Sequence, residues 1–118
     1  MSFTLNTRKV GDVVIIDMSG RLTIGEAVLL LRNTNRRFLE DGTTKFILNL
    51  GNVSHIDSAG LGELISIYTS VRNRKGDVKL LNLDKKAKDL LQMTKLLTVF
   101  DTYNDEAKAL ESLNKKPE

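Results

Sequence analysis

The side chains best suited to chemistry lie together in His55-Ile56-Asp57-Ser58, between an apolar run and an amphipathic pattern. An imidazole, a carboxylate and a hydroxyl this close together invite comparison with a Ser-His-Asp hydrolase. A catalytic triad needs a base within reach of the hydroxyl and an oriented oxyanion hole, and three residues at one strand end do not surround a substrate. The Gly-x-Ser-x-Gly elbow is also missing. We therefore predict that the chain is not an enzyme, with His55 partly exposed at a strand exit.

Metal and cofactor chemistry find little support in the sequence. The chain has one histidine and no cysteine, which cannot form a zinc site without a carboxylate cluster. It lacks a Gly-x-x-x-x-Gly-Lys loop, and Gly60-Leu61-Gly62 alone is a weak nucleotide motif. The paired acids of general acid–base catalysis are not evident. We expect no metal site and no cofactor.

Ser58 has two interpretations. As a helix N-cap, its oxygen would accept a hydrogen bond from a free backbone N–H one turn later. As a phosphate acceptor, it would hold a group of about −1.5 to −2 charge. That group would lie beside Asp57 and near the positive end of the helix dipole. The fold could tolerate this change, whereas a partner docked at Ser58 would respond to it.

The elements around Ser58 follow from hydrophobic patterning. The run Phe46-Ile47-Leu48-Asn49-Leu50 is too short for a helix and predicts a strand buried on both faces. Beyond Ser58, apolar residues recur at helical spacing and predict a core-facing stripe made of Leu61, Leu64, Ile65, Tyr68 and Val71. Open α/β sheets bind ligands and partners at such strand-to-helix junctions.

The second helix also has a face of small residues. Ala59, Gly62 and Ser66 share one side, with Glu63 beside them. Glycine inside a helix costs roughly 0.5–1 kcal/mol relative to alanine, so each glycine needs a reason. Close helix–sheet packing explains Gly60. We expect Gly62 to belong to a flat surface on which a partner's backbone approaches closely.

The remaining pattern alternates strands and helices. Residues 3–7 and 13–18 predict two antiparallel strands, the second ended by Ser19-Gly20. A helix follows between Thr23 and Glu40, with Thr23 and Glu26 as a capping box. Its predicted core stripe consists of Ile24, Ala27, Val28, Leu31 and Phe38. Gly42 closes this helix in a left-handed cap.

The C-terminal part predicts a further strand and two helices. Gly76 is expected to cap the second helix, and a strand follows at residues 77–83. Asp84 begins a helix that ends near Met93, and residues 96–100 are expected to be a short strand or extended segment. A last helix spans residues 105–113. Residues 1–113 are therefore predicted to form one α/β domain, and residues 114–118 a disordered tail.

Composition narrows the class of protein. The 118 residues suit one domain, and the net charge is +3. The basic residues are scattered and are not interleaved with stacking aromatics, so we expect no direct nucleic-acid binding. The sequence shows neither a secretory signal nor an apolar run long enough to span a membrane. A cytoplasmic location is the expectation.

The string Asp57-Ser58-Ala59-Gly60-Leu61-Gly62, set between strand and helix, closely resembles the signature of the STAS domain family. That family is named for sulphate transporters and anti-sigma factor antagonists. The resemblance extends over nearly the whole chain. Gly20-Arg21-Leu22-Thr23 is similar to the family's second-strand exit, and residues 93–100 are similar to its late helix and closing strand. It implies one STAS-like domain of the free-standing bacterial type, with a mixed sheet of four to five strands and about four helices.

The resemblance implies a phosphorylation switch. Ser58 would be the substrate of a serine kinase that is itself the anti-sigma factor. The unphosphorylated domain would bind that kinase, the phosphorylated domain would release it, and a serine phosphatase would reset the switch. Many family members have a second serine where Ala59 stands, so Ser58 is expected to be the only acceptor in the motif. The predicted partner-binding residues are Asp57, Ser58, Ala59, Gly62, Glu63 and Ser66.

The same resemblance leaves an alternative of another class. Some free-standing STAS proteins are accessory subunits of a lipid-transport ATPase, and others assemble into stress-signalling scaffolds. Such a constitutive interaction subunit would use the same helix face without phosphorylation. The oligomeric state stays open.

Overall fold

The computed structural model of the chain describes residues 3–114. The strands are β1 (Thr4–Val10), β2 (Val13–Leu22), β3 (Lys45–Ile56), β4 (Asp77–Leu81) and β5 (Asp101–Tyr103). The helices are α1 (Glu26–Glu40), α2 (Ser58–Asn73), α3 (Lys85–Met93) and α4 (Glu106–Asn114), with a 3-10 turn at Leu96–Thr98. These elements confirm the predicted α/β class and element count.

The strands form one mixed sheet in the order β1-β2-β3-β4-β5. β1 and β2 are antiparallel, as the sequence predicts, and the other neighbouring strands are parallel. The prediction that Ser19-Gly20 ends β2 is wrong. β2 continues to Leu22 with two register shifts against β3, and Gly20 adopts a φ of 102° that suits glycine.

The central strands are buried on both faces, as their continuous apolar runs predict. On one face, residues such as Ile16, Phe46 and Leu48 pack against α1, α2 and α3. On the opposite face, Ile15 and Ile47 pack against α4. The N–H of Asp57, between β3 and α2, donates to the carbonyl of Leu22 at the end of β2 at 3.4 Å. The carboxyl ends of β2 and β3 therefore meet at the start of α2, where the candidate site lies.

The start of α1 differs from the prediction. The capping box of Thr23 and Glu26 does not form, because α1 begins at Glu26 with Gly25 as an N-cap without a side-chain hydrogen bond. Gly25 has a φ of 109°, so the chain turns sharply before the helix. Ile24 consequently lies outside α1 and is 79% exposed instead of in the core. The predicted left-handed Gly42 is present, with a φ of 95°.

The buried stripe of α2 is rotated by about one position from the predicted one. Leu64 and Val71 are buried as expected, but Ile65 is exposed and Ile67 takes its place in the core. Leu61 and Tyr68 pack at the margin of the core. The rotation follows from Gly60, whose missing side chain lets the first turn of α2 lie directly on Leu22.

Gly76 is not the cap of α2. Lys75 takes the left-handed conformation, with a φ of 63°, while the N–H of Gly76 donates to the carbonyl of Val71 at 2.9 Å. Gly76 is required for a different reason: a Cβ there would lie 2.1 Å from the carbonyl oxygen of Thr44.

The C-terminal elements agree with the prediction in type except in one segment, and β4 ends at Leu81 instead of residue 83. Asp84 caps α3 by accepting the N–H of Ala87 at 2.8 Å. The expectation of a strand or extended segment at residues 96–100 is wrong, because a 3-10 turn forms there and β5 begins at Asp101. Asn114 is the last residue of α4, so the predicted tail at residues 114–118 begins one residue too early, and residues 115–118 lie outside the described residues. None of the helices within residues 3–114 has the length and apolar composition to cross a membrane.

Candidate functional site

Asp57 organises the junction between β3 and α2. It is the N-cap of α2, and its Oδ1 accepts the N–H of Gly60 at 2.8 Å. Its Oδ2 accepts the N–H of Ile24 at 2.9 Å, which ties the loop after β2 to the start of α2. These backbone hydrogen bonds, first from Ile24 and then from Gly60, hold the pKa of Asp57 below its ordinary value. The carboxylate is therefore charged at neutral pH.

Ser58 is the first residue of α2 and not its N-cap, so the capping interpretation is wrong. Capping falls to Asp57, whose side chain reaches the N–H three residues on. Ser58 is exposed, and its side chain does not cap the helix. Its hydroxyl lies on the surface, at the strand-to-helix junction.

Gly60 fixes how closely α2 approaches the sheet. A Cβ at this position would lie 2.2 Å from the carbonyl oxygen of Leu22 and 3.0 Å from its Cγ. No larger residue fits there without moving backbone. The predicted close packing at Gly60 is confirmed, and through it the first turn of α2 is held firmly against the end of β2.

A face of small residues continues from Ser58 along α2. We call Ser58, Ala59, Gly62 and Ser66 the small-residue face. A Cβ at Gly62 would meet no atom within 4 Å, so this glycine is not explained by packing within the described chain. Ser66 is exposed and Ala59 is half-buried. The face lies on the surface of the domain and carries no long side chains.

The carboxylate of Glu63 is buried and is not exposed on the small-residue face. Its side chain is 3% exposed, and its Oε1 accepts the Nε–H of Arg32 at 2.9 Å. The sequence placed Glu63 beside the small residues, but α2 is rotated so that Glu63 turns toward α1. The ion pair joins the two helices, so the carboxylate of Glu63 is engaged within the fold, behind the small-residue face.

Ile24 is a site residue that the helical pattern hid. It is adjacent to the junction through its hydrogen bond to Asp57, and its side chain is largely exposed. Its apparent place in the core stripe of α1 depended on a helix capped at Thr23, two residues before the observed N-cap at Gly25. The sequence signal that α1 starts later was the glycine at position 25, which has a φ of 109° in the structure.

His55 is exposed at the end of β3, as predicted. Together with Ser54 and Ile56, His55 lines a cleft of about 190 Å³ against α3. Within residues 3–114, no three carboxylate or imidazole side chains gather closely enough to hold a metal ion.

The fold and the site together define a small α/β domain with an exposed serine at a strand-to-helix junction and a smooth helix face beside it. A family model for the STAS domain matches residues 4–109. The chain belongs to the STAS domain family.

Relatives of known name agree with this assignment. A Thermotoga maritima protein named as an anti-sigma factor antagonist is 31% identical over 107 residues, which cover 91% of this chain and 95% of that protein. The crystal structure of a Thermotoga maritima protein of the same description superposes with a TM-score of 0.88 at 28% identity, covering 94% of this chain and 95% of that one. The phosphorylated form of the Bacillus cell fate determinant SpoIIAA has a TM-score of 0.73 at 23% identity, covering 96% and 100% of the respective chains, and shares the fold.

Proposed function

We propose that this chain is an anti-sigma factor antagonist switched by phosphorylation of Ser58. The unphosphorylated domain binds an anti-sigma factor that is also a serine kinase, and so frees the sigma factor in the cytoplasm. Phosphorylation releases the kinase, and a serine phosphatase restores the first state. The observation that carries the proposal is the exposed hydroxyl of Ser58 at one end of the small-residue face.

The geometry suits Ser58 as a kinase substrate. Its hydroxyl is exposed on the first turn of α2, and the side chains along the same helix face are small. A kinase surface can therefore approach the backbone closely. The kinase supplies the nucleotide and its metal ion, and this chain supplies the acceptor oxygen. The reaction replaces the hydroxyl proton by the γ-phosphoryl group of ATP and yields ADP.

The donors at the N-terminus of α2 explain why a phosphate would act on the partner more than on the fold. Asp57 already accepts the N–H groups of Gly60 and Ile24, so a phosphate on Ser58 does not displace the cap. Instead, a dianion is placed on the surface beside a charged carboxylate. The domain keeps its structure, while its docking face gains negative charge.

The energetic requirement for release is small. Burying a phosphate dianion against a closely fitting partner removes its hydration, which costs several kcal/mol unless a cation compensates. A difference of about 1.4 kcal/mol already weakens binding tenfold. Even partial desolvation therefore suffices for a switch.

The first test is phosphorylation by the cognate kinase. The purified chain is incubated with that kinase and ATP, and the modified residue is mapped by mass spectrometry. The expected product carries one phosphate on Ser58. Ser66→Ala, which removes the other hydroxyl of the small-residue face, should be modified as fast as the wild type, and Ser58→Ala should not be modified. Phosphate on another residue would reject the assignment.

The second test separates a switch from a constitutive interaction subunit of a transporter or scaffold. Ser58→Ala should bind the native partner as tightly as the unphosphorylated chain, and Ser58→Asp should bind it more weakly. Equal binding by both variants would support the constitutive class and overturn the switch.

A further inference from the structure

A second site lies between α1 and α2, farther along α2 than Ser58. Here the two helices enclose a cleft of about 280 Å³. The polar groups that matter are Arg32, Asn35 and Arg36 from α1, Ser66 and Ser70 from α2, and Arg74 after it. Ser66 also belongs to the small-residue face, and the other polar groups of the cleft have no role in the proposed phosphorylation switch.

The cleft is positively charged. Its lining contains three arginines and one carboxylate, Glu63, whose charge is balanced by the ion pair with Arg32. Arg74 donates one guanidinium N–H, from Nη1, to the carbonyl of Leu39 at 2.8 Å, and among the described residues its side chain makes no other hydrogen bond. Arg36 is exposed and forms neither a hydrogen bond nor an ion pair within residues 3–114. Two guanidinium groups therefore have donors available to a bound molecule.

Asn35 supplies an independent observation. It is 3% exposed, and its Nδ2 is a buried donor without a hydrogen-bond partner in the part of the chain that the structure describes. Buried amides are nearly always satisfied, so an unpartnered one needs an explanation. Asn35 lines the cleft while Nδ2 itself is sealed from solvent, so a turn of the amide would bring this donor to an acceptor oxygen bound there.

We propose that this cleft binds a small oxyanion of the phosphate or carboxylate type. Guanidinium groups present planar pairs of donors that match such anions, and the unpartnered amide of Asn35, once turned toward the cleft, adds a further donor. The hydroxyls of Ser66 and Ser70 complete a polar wall. Ligand pockets commonly enclose about 300–1,000 Å³, so this cleft suits a small anion and not a nucleotide.

Titration with inorganic phosphate and with succinate tests the site. Amide chemical shifts of the 15N-labelled chain are followed at constant ionic strength, with chloride as the reference anion. At least one of the two oxyanions should give saturable shifts at residues 32–39 and 63–74, with chloride giving none. Absence of saturation with both oxyanions would overturn the proposal.

Matched arginine variants show whether the cleft or general charge is responsible. Arg36→Gln should weaken oxyanion binding about tenfold, while Arg37→Gln, the same change one residue on but outside the cleft, should bind as the wild type does. Equal effects of the two variants, or full binding by Arg36→Gln, would contradict the site.

Asn35→Leu should also weaken binding at least fivefold, with the amide spectrum reporting that each variant is folded. Unchanged binding by folded Asn35→Leu would likewise count against it. None of these three variants alters Ser58, so failure of the oxyanion proposal leaves the phosphorylation switch unaffected.

Discussion

Alanine at Gly60 and alanine at Gly62 should change stability in opposite directions, although the two positions lie two residues apart on one helix. At Gly60 the added methyl group would lie 2.2 Å from a backbone oxygen of Leu22. At Gly62 it would meet no atom within 4 Å. The pair therefore tests, with one chemical change, whether α2 packs on the end of β2 as the structure shows.

The magnitudes follow from two competing terms. Alanine is favoured over glycine inside a helix by roughly 0.5–1 kcal/mol, and this gain applies at both positions. At Gly60 it is opposed by overpacking, which typically costs about 1–3 kcal/mol and more when backbone must move. We expect Gly62→Ala to gain about 0.5–1 kcal/mol and Gly60→Ala to lose about 2 kcal/mol, the net of these terms.

Urea denaturation of the wild type and both variants measures the two effects. For a chain of this size, 1 kcal/mol corresponds to a shift of roughly 3–6 °C in Tm, so thermal unfolding provides a second readout. A Gly60→Ala variant as stable as Gly62→Ala would refute the packing of α2 on Leu22. Loss of stability in Gly62→Ala would show that the small-residue face is covered within the folded chain.

Three further predictions concern the same helix, the cleft and the far side of the sheet. Gly62→Arg should remain folded and bind the anti-sigma factor kinase at least tenfold more weakly, measured by isothermal titration calorimetry. Asn35→Leu should be more stable to urea by about 1–2 kcal/mol, because it removes a buried donor without a partner; a less stable variant would contradict this. Hydrogen bonds from Arg8 hold the pKa values of Glu106 and Asp17 below their ordinary values of 4.5 and 3.8. A lowered carboxyl pKa stabilises the fold above the unfolded pKa, and that stability is lost as pH falls through the folded pKa. Arg8→Gln should therefore be less stable than the wild type at pH 7, with the difference in urea midpoint shrinking below about pH 4; a constant difference would contradict the assignment.

The sequence predicted the features that depend on local pattern. The continuous apolar run of β3 indicated a strand buried on both faces, and Asp57-Ser58 marked the junction with α2. Gly60 and Gly62 were assigned different roles, and the structure agrees: one contacts backbone and the other faces open space. These predictions succeed because strand burial and helix periodicity are written in neighbouring residues.

The errors share a different cause. Ile24 fitted the helical period of α1, and only the turn at Gly25 moves it to the surface. Glu63 fitted the small-residue face, but its partner Arg32 lies on another helix, 31 positions earlier. The capping role passed from Ser58 to Asp57 because one carboxylate can bind two backbone N–H groups from separate segments. Contacts between distant parts of the chain decide each case, and a periodic pattern does not contain them.

The central claim is that one exposed hydroxyl controls docking. Its most direct test compares the dissociation constant of the anti-sigma factor kinase for this chain with Ser58 unmodified and with Ser58 fully phosphorylated. We predict that phosphorylation weakens binding at least tenfold, a change of about 1.4 kcal/mol, while the fold measured by circular dichroism stays the same. Equal dissociation constants for the two forms would contradict the account.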